Sequence, residues 1–181
     1  PVGMPVAGSD IGGTGPKFRY LQVTLTATGQ VRPSGLNTCE DVSTGSGNIH
    51  LTHGSGNTIH IHGSVKSDWG SGNNDQRVKD IANNPPIDQT GNIVRIGARH
   101  ENYHNISIDY DIEAPSNAFL EANSGSGDVT DDGVGENSKL STGSGNIRAT
   151  GLQSGFIANT GSGDIYIEQA GQGDVKAQTG S

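Results

Sequence analysis

Apolar and polar residues alternate in short runs along most of this chain, and glycines bracket the runs. FRYLQVTLTAT at 18–28 sets Leu21, Val23, Leu25 and Ala27 on one face and predicts a strand. NIHLT places Ile49 and Leu51 inward with His50 outward, and TIHIHG places Ile59 and Ile61 inward against His60 and His62. The period of two continues through GNIVRIG (91–97) and NISIDYDIEAP (105–115). In the latter Ile106, Ile108, Tyr110 and Ile112 face one way, and Ser107, Asp109, Asp111 and Glu113 the other. Near the end, Ile147 and Ala149 point in with Arg148 out, then Ile165 and Ile167 point in with Asp164, Tyr166 and Glu168 out.

The rhythm breaks at 66–90, KSDWGSGNNDQRVKDIANNPPIDQT, which reads as an insertion. Asn74 can cap a short helix over 75–82, whose Val78, Ile81 and Ala82 share a face, and Pro85 and Pro86 stop it. This helix is expected to lid one end or side of the strands, with Trp69 packed beneath. Residues 1–17 form a Gly/Pro arm with apolar beads at Val2, Met4, Val6 and Ile11; Pro1 and Pro5 restrict any strand there to an edge.

A longer clock lies over the alternation. GSGDV at 125–129, GSGNI at 143–147 and GSGDI at 161–165 recur every 18 residues, with a half-strength echo in GQGDV at 171–175 and relatives at 45–49, 54–59 and 91–93. A fixed short period means stacked repeats. Glycine allows tight corners and close backbone approach, and Asp or Asn can satisfy loose N–H groups there. Two short strands and two corners fill one coil, so the chain is expected to be all-β. The fold predicted is a parallel, two-faced β-solenoid of about 18 residues per coil, occupying 18–181 as a single domain. Ile147 and Ile165 should stack on one inward ladder.

Composition narrows the function. Leu, Ile, Val and Phe make up about a fifth of the 181 residues, so the core is thin and depends on the repeat for its order. Eleven basic against nineteen acidic residues, a net charge of -8, argue against nucleic acid and against attachment to an anionic membrane surface. Cys39 is the only cysteine, which excludes a disulfide framework and a thiolate metal cluster. No apolar run is long enough to span a membrane. The chain starts at Pro1, which reads as a mature, processed chain. An acidic, Ser/Thr/Asn/Gly-rich chain with one cysteine suits a bacterial exterior or periplasm.

The repeats at 123–177, the segment NNPPIDQTGNIVRIG (83–97) and the strand ISIDYDIEAP (106–115) together resemble a bacterial cell-envelope family. It is a family of β-strand-repeat, adhesin-like proteins, a domain family without an assigned function. The resemblance covers most of 36–181 and implies a β-solenoid and an exported or envelope location; it carries no catalytic residues. Two departures are the arm at 1–17 and the stop at Thr179-Gly180-Ser181, inside the next expected copy of the motif.

Candidate chemistry is sparse. DIGGTG at 10–15 resembles the phosphate-binding turn of sugar kinases, but lacks the buried strand and two-lobed fold that the turn needs. The nine-residue half-period is similar to that of calcium-binding β-rolls. Here the acid follows the second glycine directly (Asp164, Asp174), and Asn replaces it at Asn48, Asn57 and Asn146, which suits structural corners better. His50, His53, His60 and His62 lack an identifiable further ligand, as does HENYH (100–104), so no metal site and no cofactor are expected. Asp109, Asp111 and Glu113 line one strand face and read as a solvated acidic surface rather than a paired-carboxylate site. No nucleophile elbow is present.

The expected function is therefore non-enzymatic: a subunit that joins head to tail into an extracellular fibre. Its interface would combine the beads Val2, Met4, Val6 and Ile11 with Val175, Ala177, Thr179, Gly180 and Ser181. The alternatives are a monomeric envelope adhesin whose strand face binds polysaccharide or another cell, and a polysaccharide-active enzyme.

Overall fold

The structure, a computed structural model, describes residues 8–10, 20–27, 39–55, 58–67, 74–90, 93–97 and 105–181. The early strands are β1 (Gly8–Asp10), β2 (Tyr20–Ala27), β3 (Cys39–Thr44), β4 (Ile49–Gly54) and β5 (Ile59–Ser67). Helix α1 (Asn74–Asn83) is followed by β6 (Ile87–Thr90), β7 (Ile93–Ile96) and β8 (Ile106–Pro115). The remaining strands are β9 (Phe119–Ser124), β10 (Val129–Asp132), β11 (Ser138–Thr142), β12 (Ile147–Leu152), β13 (Phe156–Thr160), β14 (Ile165–Gln169) and β15 (Val175–Thr179). The described residues are mostly strand, with a single helix, as the alternation predicts.

Two sheets share the strands. One runs β1-β2-β5-β8-β4-β10-β12-β14 and the other β15-β13-β11-β9-β3-β7-β6; they are called A and B below. From β9 onward the chain crosses from B to A and back with every strand, and each strand pairs in parallel with the one a full turn earlier. Val129, Ile147 and Ile165 fall in one row of sheet A, one repeat apart, so the predicted inward ladder is present. Ile147 is buried and Ile165 is partly covered.

Two expectations are corrected. The sheets are mixed, not parallel throughout: β5 runs antiparallel to β8, β2 to β5, β1 to β2, and β6 to β7. The chain also does not stack in sequence order. Each pair of strands that makes one turn forms a rung, and the rung β3–β4 lies between β7–β8 on one side and β9–β10 on the other. Residues 59–63 therefore supply no parallel rung; they belong to the antiparallel strand β5.

The core lies between the sheets as rows of aliphatic side chains. Ile61, Ile112 and Leu51 form one row and Tyr110, Ile49, Val129 and Ile147 another, all buried. Leu120, Leu140, Phe156 and Ala158 line sheet B. Helix α1 packs on β5 and β2 and contributes Val78, Ile81 and Ala82 to the same core, as its sequence pattern predicts. Trp69 lies outside the described residues.

Candidate functional site: the outer edges of β14 and β15

The corners between sheets B and A show why the repeat has its spelling. The hydroxyl before each glycine pair donates to a carbonyl of the previous rung: Ser124 to Gly47, Thr142 to Gly127, Thr160 to Gly145 and Thr179 to Gly163, at 2.8–3.1 Å. Thr44 makes the equivalent bond to Ile108 at 2.9 Å. Where the rungs stack, a β-carbon on Gly127 or Gly145 would run into the carbonyl oxygen of the glycine beneath it, so only glycine fits.

The next residue of the motif makes a second ladder. Asn48 donates its backbone N–H to the Asp109 carboxylate, Asp128 to the Asn48 side chain, Asn146 to Asp128 and Asp164 to Asn146, at 2.8–3.0 Å. Read in stacking order the residues of this ladder are Asp109, Asn48, Asp128, Asn146 and Asp164, the first four as side-chain acceptors. Acid and amide alternate strictly, although in chain order they do not. Adjacent rungs lie about 4.8 Å apart, so each neutral amide holds successive carboxylates about twice that distance apart and weakens their repulsion.

Both ladders run to the end of the stack, where β14 closes sheet A and β15 closes sheet B. The Asp164 carboxylate, which in each earlier rung would receive an N–H from the next, accepts no hydrogen bond among the described residues. Every residue of β15 is exposed, and Val175 is 40 % accessible in a row whose earlier member, Phe156, is buried. Ile165 and Ile167 on β14 are partly covered. On the outer face Tyr166 is 50 % exposed, with the Arg148 guanidinium 4.6 Å from its ring centre on one side.

Of the residues expected to form an interface, Val175, Ala177, Thr179, Gly180 and Ser181 lie together on and just after this edge, all exposed. Thr179 and Gly180 hold the repeat register, since Gly180 N–H donates to the Thr160 carbonyl at 3.1 Å. Val2, Met4, Val6 and Ile11 lie outside the described residues; Gly8–Asp10 between them pairs with β2 of the same chain. The sequence reading missed the sheet A half of the edge: Asp164, Ile165, Tyr166, Ile167 and Glu168. Its signal was the 18-residue spacing itself, which puts Ile165 one repeat beyond Ile147 in sheet A.

Elsewhere, His50 lies between two carboxylates on the outer face of sheet A, Nδ1 3.3 Å from Asp111 and Nε2 3.4 Å from Asp132. A hydrogen bond from Thr150 at 2.6 Å, together with His50, holds the Asp132 carboxyl below its ordinary range. Among the described residues, no group of three or more His, Cys, Asp and Glu side chains is arranged to hold a metal ion. Lys66 pairs with Asp109, and Lys139 with Glu121 at 2.8 Å.

One acid points the other way. Asp131 occupies an inward row between Leu51 and Ala149 and is fully buried. Its Oδ1 accepts the Val134 N–H at 2.9 Å, which folds the chain at 131–134, while its Oδ2 has no hydrogen-bond partner. Burial pushes its carboxyl up to about 7, against a smaller opposing effect of the Val134 bond.

Among the described residues, no helix is long and apolar enough to cross a membrane. No protein-family model matches the chain, and no curated protein matches it.

Proposed function

We propose that this chain is a non-enzymatic structural protein of the bacterial exterior, a β-solenoid subunit that associates end to end into a surface fibre. The observation that carries the reading is the stack from β9 to β15, in which parallel pairing, aliphatic rows and a corner ladder recur from rung to rung. Stacked rungs of like build can pair with further strands of the same kind. The solenoid reading draws on parallel strands that alternate between two sheets at a fixed repeat. The non-catalytic reading draws on Asp131, the described carboxyl with its ionisation pushed to about 7: it is sealed in the core and not offered to a substrate. The exterior location draws on the acidic, Ser- and Gly-rich composition and the family resemblance.

A second reading, an adhesin face for polysaccharide, draws on Tyr166 alone. It is a half-exposed ring braced by Arg148 on a flat strand face beside Glu168 and Thr150, a form of platform on which sugars stack. Sedimentation across a dilution series, with negative-stain microscopy at the highest concentration, tests the main reading. Larger species that grow with concentration are expected. A protein that stays monomeric throughout refutes it.

A further inference from the structure

The corner between β10 and β11, in the interior of the stack, is held shut by two buried polar side chains, one of which can lose a proton. We propose that this corner, residues 133–137, is a pH-operated latch that lies closed over the core while Asp131 is protonated and swings open when Asp131 ionises.

The position of the acid carries the first argument. The inward row through sheet A reads Ile61, Ile112, Leu51, Asp131, Ala149 and Ile167, so one rung has an acid where its neighbours have aliphatic side chains. What the acid does there is hold Val134, which is fully buried. The Val134 N–H donates to Asp131 Oδ1 at 2.9 Å, and its carbonyl accepts the buried Ser138 hydroxyl at 3.2 Å. One repeat later the same three positions are Ala149, Leu152 and Phe156. In that rung the main chain replaces a side-chain clasp, since the Leu152 carbonyl accepts the Ala170 and Gly171 N–H groups at 2.9 Å. The corner 151–155 is thus the same place in the repeat without an ionisable group.

The backbone supplies the hinges. Gly133, Gly135 and Asn137 have φ of 75°, 92° and 57°, so left-handed residues stand at both ends of the corner and at its middle. Gly133 stays tied to β12 through its N–H to the Thr150 carbonyl at 2.8 Å. Beyond it the corner is fastened at Gly135 to the Ser116 carbonyl (3.1 Å), at Glu136 to the Ala118 carbonyl (2.7 Å) and at Asn137 to the Ser154 hydroxyl (3.0 Å). Rotation at two such hinges would carry Val134 and Asp131 toward water together.

The surroundings of the acid supply the force. Asp131 Oδ2 is buried without a hydrogen-bond partner, so ionisation places a charge in the core on a single donor. No cation offsets it. On the flanking strands His50 and Arg148 lie on the outer face of sheet A, and His53 is exposed beside Gly133. Across the core, Glu121 of β9 and Lys139 of β11 pair with each other on the outer side of sheet B. Asp132, next in the chain, opposes a second negative charge, and Glu136 is an exposed acid on the corner itself. Burial accordingly raises the Asp131 carboxyl to about 7, and opening into water returns it to the ordinary range. The closed form then keeps a proton that the open form releases. The opening constant should therefore rise about tenfold per pH unit from pH 4 to 7 and level off above.

Amide hydrogen exchange on the full chain, corrected for intrinsic rates, tests the latch between pH 5 and pH 8. The opening constants of Val134, Gly135 and Glu136 should climb about tenfold per unit up to pH 7, while those of Leu140 in β11 and Ala149 in β12 stay level. Asp131→Asn should abolish the climb. Ser138→Ala should raise the opening constant at every pH and keep the climb, so the parent and this variant decide the matter even if Asp131→Asn does not fold. A flat profile at the three corner amides overturns the latch. So does a climb that Leu140 and Ala149 share equally, which would mean that the whole stack loosens, or one that survives in a folded Asp131→Asn protein.

Discussion

The two ends of this molecule are built from similar strands by different rules. From β9 to β15 every strand pairs in parallel, with one register shift at Thr150/Leu152, and the same hydroxyl, glycine and Asp/Asn contacts recur at the corners from sheet B to sheet A. Around β1, β2, β5 and β6 the pairings are antiparallel, the corner ladder ends, and a helix supplies part of the core. The regular half extends without a natural limit, because each rung leaves the next an identical edge. The irregular half does not repeat: strand directions reverse, and α1 packs on β5 and β2 in place of a further rung. A repeat array needs such an atypical end.

That contrast can be broken most severely from inside the regular half. Ile147→Asp buries an unpaired charge in an interior rung and should cost about 5 kcal/mol, whereas Ile165→Asp in the last, partly covered rung should cost much less. Chemical denaturation of both variants checks this, and equal losses would mean that the last rung is covered in solution.

Asp131 gives the next largest effect. Its carboxyl is raised from 3.8 to about 7, so the folded state holds a proton that the unfolded chain has released. The contribution of Asp131 should therefore be fully present below pH 4, fall on the order of 4 kcal/mol between pH 4 and 7, and level off above, whereas the lowered Asp132 carboxyl acts the other way at acid pH. Asp131→Asn keeps an oxygen for the Val134 N–H and should flatten that slope, making the variant the more stable protein at pH 8. Melting temperature against pH for both proteins decides it.

Gly145→Ala drives a methyl into the Gly127 carbonyl between rungs and should cost about 3 kcal/mol. The same change at Gly45, which has open space around it, should be nearly silent in thermal melts. At the other end, Ile81→Ala in α1 should cost about 2 kcal/mol. Hydrogen exchange would show whether that loss stays in β2 and β5 or spreads to β12. Confinement to the capped end would make the two halves separate folding units.

The smallest effect sharpens the corner. Thr142→Val removes a buried hydroxyl and leaves the Gly127 carbonyl without that donor, at about 1 kcal/mol. Thr179→Val at the exposed last strand should be nearly neutral, because water can replace the bond to Gly163. Comparable losses at both positions, measured by denaturant midpoint, would contradict the exposed edge.

Much of this was written in local sequence. The side of each strand that faces the core follows from a period of two, and Ile49, Leu51, Ile59, Ile61 and Ile112 are buried as their alternation requires. The corner glycines, the repeat length and α1 are equally local, because turn geometry and helix amphipathicity depend on residues a few positions apart. The place of Val175 and Ala177 in the repeat was legible as well, and they pair with Phe156 and Ala158 of the rung before.

The order of the rungs was beyond the sequence. Parallel rungs of similar composition fit one another in several orders, and placing β3–β4 between β7–β8 and β9–β10 depends on how 58–97 folds back, a contact between distant segments. The alternation of Asp and Asn up the corner therefore exists only in space. The burial of Asp131 follows the same rule: its alternation marks it as inward, but only the packing of Leu51 and Ala149 on either side turns an acid in a strand into a proton held in the core.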